Sequence, residues 1–329
     1  MKKEKKVAIV NANSFARYYP EFIEKLECEV GQVERIKVPA DIKAKDLAEK
    51  LEGFSYLIVG TTPKFSEEFF EMVSGLEYVA RFGIGYNNVD VVGAKKHAVI
   101  VSNMPGALEK DDVAEQAVAL TMALTKHVVD GCNAVHREEW NVDRGRFLGN
   151  RLQNKVVGVL GYGNIGSTYG KIMSQAFQCK IITYDPFLSA DIIAERGAQK
   201  KSLEEVLEQS DIISLHINLT KDNYHFLSEE KLSHLKKTAY LINTARGELV
   251  DEFAVAKALT DGKLAGYGAD VAENEPISKD HPLMRTEKCV ITPHLGTYNW
   301  ECNKQMCEAI VNDVIAVSNN QRPSVVLEK

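Results

Sequence analysis

The chain has 329 residues, enough for two domains, and its 45% hydrophobic and 26% charged residues are those of an ordinary globular protein. Its formal net charge of −6 argues against nucleic acid or an anionic membrane surface as the main partner. Six cysteines, none in a C-x-x-C pair or at zinc-finger spacing with a histidine, point to reduced, mostly buried thiols and away from a disulfide framework.

The opening MKKEKKVAIV turns from basic to apolar, but the apolar run stops at Asn11, too short for a signal-peptide core. No stretch of ~20 apolar residues occurs, so no membrane span is expected and the cytoplasm is the expected location. VAIVNA, YLIVG and YVARFG read as buried strands, with helical spacing over 43–51 and 66–73 between them. The alternation predicts a parallel sheet with helices on both faces, in a first unit of about 1–103.

Residues 111–130, DDVAEQAVALTMALTKHVVD, read as one long helix. Asp111 and Asp112 suit its N-terminal end and Gly131 can end it. Its apolar residues surround much of the circumference, which predicts burial between layers or against another subunit. The stretch from Gly131 to Asn150 is polar and reads as irregular. Strands then resume with VVGVLG, CKIITYD, DIISLHI, TAYLIN, LAGYGADV and CVITPH. Ser202 and Glu205 have capping-box spacing before one intervening helix, and Asp251 and Gly262 bracket another. A last helix is predicted over about 300–317.

Gly161, Gly163 and Gly166 are spaced G-x-G-x-x-G after the run VVGVL. A helical segment, about 164–177, follows, and then the strand CKIITYD, which ends in Asp185. This is a dinucleotide-binding βαβ arrangement. Gly161 permits the tight turn, Gly163 lets backbone approach a pyrophosphate, and Gly166 lets helix pack on strand. The helix N-terminus offers free N–H groups to the phosphates. Asp185 can accept from ribose hydroxyls and would repel a 2′-phosphate. No cation follows it among Pro186, Phe187 and Leu188, so NAD is favoured over NADP.

In an open parallel sheet ligands bind beyond the carboxyl ends of the strands. After AYLIN comes Arg246, after GYGADV come Asp270 and then Glu275, and after CVITP comes His294. Singly, each has a dull reading: an ion pair, a solvated loop charge, a satisfied histidine. At the sheet edge that also carries the glycine loop, they read as catalytic. An arginine fork can hold a carboxylate bidentately, a histidine can exchange a proton near neutrality, and a glutamate can orient it.

Several stretches together resemble the D-isomer-specific 2-hydroxyacid dehydrogenase family: RFGIGYNNVD at 81–90, NMPG at 103–106, VAE at 113–115, GYGNIG at 161–166, LINTARGELVDE at 241–252, ADVAENEP at 269–276 and TPHLG at 292–296. The resemblance covers nearly the whole chain. It implies two doubly wound parallel-sheet α/β domains. A Rossmann-type NAD domain, 104–296, is inserted into a discontinuous, flavodoxin-like substrate domain, 1–103 and 297–329, which puts the glycine loop mid-chain and the active site in the cleft between the domains. The implied reaction is NAD-dependent interconversion of a D-2-hydroxy acid and its 2-keto acid, without metal. The implied partners are that small molecule and a second subunit, joined through the NAD domain.

Residue by residue, the resemblance implies Arg246, Glu275 and His294 as the catalytic set, with His294 as acid/base. Asn164 and Ile165 would meet the pyrophosphate, Asp185 the ribose, and His216 and Ile217 the adenosine end. Thr244, Ala245 and Asp270 would flank the nicotinamide, with Gly296 a further cofactor contact. Backbone around Ile84 and Gly85 would help Arg246 hold the substrate carboxylate. Two departures stand out. The family pattern H-x-P-L-T appears as His216-Ile217-Asn218-Leu219-Thr220, and Tyr298 and Trp300 are bulkier than expected, either narrowing the pocket or packing between domains. A rival from another class is an NAD-sensing binding protein like the C-terminal-binding corepressors, which keep the same three residues.

Overall fold

A computed structural model describes residues 5–328. The chain forms two compact units, one of the residues up to Glu109 together with those from Asn299 onward, the other Lys110–Tyr298. The boundaries expected at 103/104 and 296/297 fall at 109/110 and 298/299, where the helix Lys110–Thr125 begins and Asn299 caps the last helix.

The first unit is built on five parallel strands: β1 (Val7–Val10), β2 (Val33–Ile36), β3 (Tyr56–Val59), β4 (Tyr78–Arg81) and β5 (Ile100–Ser102), in the order β2-β1-β3-β4-β5. This is the flavodoxin-like order. Its connecting helices are α1 (Glu21–Glu29), α2 (Ala44–Lys50), α3 (Glu67–Met72) and α4 (Val91–Lys96). β1, β3 and β4 are buried throughout, as strands covered on both faces must be. One face is covered by the chain's last helix, whose Met306, Ile310, Val311 and Val314 join Val7, Ile9, Ile58 and Ala80 in one apolar cluster. That packing makes the unit discontinuous in sequence.

The second unit has seven parallel strands: β6 (Val156–Leu160), β7 (Lys180–Tyr184), β8 (Gln199–Lys200), β9 (Ile212–Leu215), β10 (Tyr240–Asn243), β11 (Gly266–Ala269) and β12 (Cys289–Ile291). Their order is β12-β11-β10-β9-β6-β7-β8, so the strand order reverses between β6 and β9, the switch point of a doubly wound fold. Its helices are α5 (Lys110–Thr125), α6 (Val128–His136), α7 (Asn164–Phe177), α8 (Ala190–Glu195), α9 (Leu203–Gln209), α10 (Glu229–Leu232) and α11 (Glu252–Thr260), and the first unit's closing helix is α12 (Trp300–Ser318). α5 lies directly on β11, where a Cβ on Gly268 would meet Leu124 at 3.1 Å. It is pinned to α7 by the Thr121 and Tyr169 hydroxyls, 3.0 Å apart.

The single helix expected over 111–130 is two. His127 adopts the left-handed conformation (φ 53°, ψ 37°), which no helix can propagate, and α6 starts afresh behind it. Gly131 does not end a helix. It lies inside α6, and its amide bonds back to the carbonyl of His127 at 2.8 Å. The stretch read as irregular from Gly131 therefore stays helical to His136. β2, β5 and β8 are not expected from the sequence: β2 is half-buried and carries the charged Glu34 and Arg35, β5 has three residues and β8 two. The capping box at Ser202–Glu205 is present, and Asp251 caps α11 through the amide of Ala254. Cys179, Cys302 and Cys307 are buried, but Cys28 and Cys132 are exposed, contrary to the expectation of mostly buried thiols. Among the described residues no helix is long and apolar enough to cross a membrane.

Candidate active site

The glycine loop joins β6 to α7. Gly161 has φ +87°, and a Cβ there would sit 2.6 Å from the carbonyl oxygen of His216, so both the turn and its neighbour demand glycine. A Cβ on Gly166 would stand 2.0 Å from the carbonyl oxygen of Gly161, because α7 presses directly on the loop. At Gly163 nothing lies within 4 Å of that position. The middle glycine thus faces open space at the start of a 14-residue helix, whose first amides, at Asn164 and Ile165, have no intrahelical acceptor.

Asp185, just beyond β7, is buried, and its carboxylate ties the loop together. It accepts from the amides of Tyr162 at 2.8 Å, Phe187 at 2.9 Å and Leu188 at 3.2 Å. A carboxylate has about four acceptor directions, which leaves one for a ligand hydroxyl. Across the switch point, His216 is tied inward. One ring nitrogen pairs with the Ser214 hydroxyl at 2.8 Å, and burial pushes the imidazole down to about 3, so the ring is neutral. Ile217 packs its Cγ2 toward Gly161. Asn218 is exposed, and its carbonyl accepts the Asn223 side chain at 2.8 Å, part of a capping turn over Thr220–Asn223.

The loops after β10, β11 and β12 carry the other candidates. Asn243, buried at the end of β10, accepts from the amide of Ala245 at 3.0 Å and donates to the carbonyl of Arg246 at 2.9 Å, fixing the turn that presents Thr244, Ala245 and Arg246. The Thr244 hydroxyl is buried with no hydrogen-bond partner among the described residues. Glu275 faces His294: the imidazole Nδ1 lies 2.9 Å from Oε2 and 3.1 Å from Oε1, while Oε1 also accepts the amide of Ala272 at 3.2 Å. Burial alone would raise the Glu275 carboxyl. The hydrogen bond and charge of His294, the Ala272 amide and the charge of Arg246 outweigh it and hold the carboxyl below its usual range. Arg246 and Glu275 therefore share one electrostatic neighbourhood.

His294 itself sits at φ +56°. The loop is held in this left-handed turn by Asp270, buried at the end of β11, whose carboxylate accepts the amides of Leu295 at 2.8 Å and Gly296 at 2.7 Å and the Thr292 hydroxyl at 2.5 Å. Gln116 of α5 adds bonds to Thr292 at 2.9 Å and Asp270 at 3.3 Å. Asn243 and Gln116 were missed in sequence. Asn243 closes the apolar run AYLI and Gln116 follows Glu115 on a helix, and neither position names its partner. In the other unit, Asn103 donates to the carbonyl of Ile84 at 2.6 Å and the Met104 amide to that of Gly83 at 3.2 Å, which fixes the 83–85 turn. Trp300 opens α12 and packs edge-on against Tyr18, 5.0 Å between centroids. Tyr298 is exposed.

An open glycine at a helix N-terminus, a buried carboxylate beside it and an unpaired buried hydroxyl across the switch point fit a dinucleotide. With an arginine, a glutamate and a histidine at the same sheet edge, they define a nucleotide-dependent oxidoreductase. Residues 118–296 match the model of the D-isomer specific 2-hydroxyacid dehydrogenase, NAD binding domain. The chain is 36% identical to a glyoxylate reductase of Korarchaeum cryptofilum over 85% of this chain and 84% of that one. It is 35% identical to the D-3-phosphoglycerate dehydrogenase of Bacillus subtilis over 82% of this chain and 50% of that one. A D-lactate dehydrogenase of Aquifex aeolicus, solved with NAD and lactic acid, superposes with a TM-score of 0.82 at 27% identity, covering 95% of this chain and 96% of that one. The chain belongs to the D-isomer-specific 2-hydroxyacid dehydrogenase family and is an NAD-binding oxidoreductase.

Proposed function

We propose that the protein interconverts a D-2-hydroxy acid and its 2-keto acid, with His294 as the acid/base, as a cytoplasmic homodimer. The observation that carries this reading is the Glu275–His294 pair, 2.9 Å apart at the sheet edge that also bears Arg246 and the glycine loop. Nδ1 of His294 is committed to Glu275, so Nε2 is the nitrogen left for substrate. NAD, when bound, takes up or returns the C2 hydride. In oxidation the substrate hydroxyl gives its proton to Nε2, C2 loses hydride and the C–O bond becomes a carbonyl. In reduction protonated His294 returns that proton to the carbonyl oxygen. Arg246 holds the carboxylate as a planar fork. Asn164 and Ile165 offer amides to the pyrophosphate, Asp185 an acceptor to the ribose, and the Thr244 hydroxyl a partner at the nicotinamide end.

The relatives named above are reductases and dehydrogenases, which favours turnover over the NAD-sensing alternative. The test is a panel of 2-keto acids with NADH followed at 340 nm. Glyoxylate heads it because of the 36% identical relative, followed by pyruvate and 3-phosphohydroxypyruvate. Turnover of at least one is expected, and His294→Ala should cost about 10²- to 10⁴-fold, the range for a lost general acid–base. NADH binding without turnover of any member would favour the sensing alternative.

A further inference from the structure

The loop that carries Glu275 is gripped from behind by a second group of acids and histidines that the proposed chemistry does not use. Glu252, the first residue of α11, is buried. Its Oε1 accepts the amide of Glu273 at 3.0 Å, and its Oε2 lies 3.5 Å from Nε2 of His281. Nδ1 of His281 accepts the amide of Leu283 at 3.4 Å, so the proton of a neutral ring is on Nε2, facing Glu252. The Glu273 carboxylate takes the Tyr224 hydroxyl and stands 3.3 Å from Nε2 of His225, whose ring stacks on Tyr224 at 3.9 Å and 17°. Two consecutive amides of one loop thus go to two carboxylates: Ala272 to Glu275 and Glu273 to Glu252.

We propose that Glu252 is a positioning residue for the reaction: through the Glu273 amide and His281 it fixes the 271–276 loop, and with it the aim of Glu275 at His294. This rests on the acid/base assignment made above. A carboxylate in this place is costly. Burial pushes it up to about 7, and the negative charges of Glu273 and Glu248 add to that, against the Glu273 amide and His225. A group held at such cost on one of the two tethered amides of the loop indicates a demand for rigidity there. Small displacements of an oriented acid/base are expensive in rate.

A double-mutant cycle on the full-length enzyme tests this. Glu252→Ala should lower kcat about tenfold with KM for NADH within about twofold, and Glu252→Gln, which keeps an acceptor for the amide, should recover most of the loss. In a Glu275→Gln background, Glu252→Ala should cost less than about twofold, because the group it aims is already disabled. His281→Gln, a milder change at the same loop, should show the same non-additivity if Glu252→Ala does not fold. An equal cost in both backgrounds, or a Gln variant as poor as the Ala variant, overturns the inference while leaving the acid/base assignment standing. A Glu275→Gln enzyme with normal kcat overturns both.

Discussion

A Cβ on Gly247 would stand 2.0 Å from the carbonyl carbon of Ala272. The turn that presents Arg246 and the loop that presents Glu275 therefore touch backbone to backbone, with no side chain between them. The first prediction follows. Gly247→Ala must push one loop away from the other, and since a shift of about 1 Å at a catalytic group can cost ~10² in rate, kcat should fall at least about tenfold with the fold intact by circular dichroism. Normal kcat in that variant would mean the two loops need not be in register.

The proton shuttle has a signed pH dependence. Reduction takes a proton from His294 and oxidation delivers one, so keto-acid reduction should slow with rising pH while hydroxy-acid oxidation quickens over the same window. Glu275, held below the usual carboxylate range, stays ionised throughout and keeps its hold on Nδ1 of the ring. Glu275→Gln removes the charge and keeps the shape, so the reduction profile of that enzyme should differ from the parent's. Because the folded carboxyl lies below its unfolded value, the pair's contribution to stability is present above the ordinary carboxylate pKa and lost as pH falls through the folded one. Profiles that superimpose for the two enzymes would sink the assignment.

NAD should be used in preference to NADP, and Asp185→Ala should narrow the gap. The same change frees the amides of Tyr162, Phe187 and Leu188, so affinity for NAD should fall as well. Equal kcat/KM for both cofactors in the unmutated protein would contradict the role given to Asp185.

Arg246→Lys should damage both KM for the keto acid and kcat, since lysine keeps the charge but loses the planar fork that fixes a carboxylate. Steady-state kinetics identical to the parent would remove Arg246 from the substrate site.

The apolar residues of α6 and the arm beyond it are exposed on the single chain: Val128, Val135, Val142, and above all Trp140 at 66% and Leu148 at 86%. Such a run is what an obligate dimer covers. Light scattering at micromolar concentration should give the mass of two chains, and Val135→Glu with Trp140→Glu should give one. A monomeric parent under those conditions would refute the dimer.

What could be read in sequence was local. The span 164–177, the capping box at Ser202 and the jobs of the three glycines follow from turn chemistry and periodicity, and α7 spans Asn164–Phe177. The gathering of Arg246, Glu275 and His294 followed from strand ends in a parallel sheet. The break at His127 did not, because the apolar pattern runs through it and only the backbone turns. Nor did the work of Asn243, Gln116 and Glu252. A polar side chain buried among apolar ones shows that something is bonded there, but its partner is decided by packing across the fold.

His294 stands at φ +56°, in a region where a residue with a Cβ costs on the order of 1 kcal/mol or more. That cost is borne in every folded molecule, substrate or none, and Asp270 with its four donors keeps it from relaxing. The backbone of this turn alone would therefore prefer a residue other than histidine, while the pair with Glu275 holds the histidine in place. Glycine or asparagine at position 294 would ease the turn and lose the pair with Glu275, so the comfort of the backbone and the contact of the side chain pull this position in opposite directions.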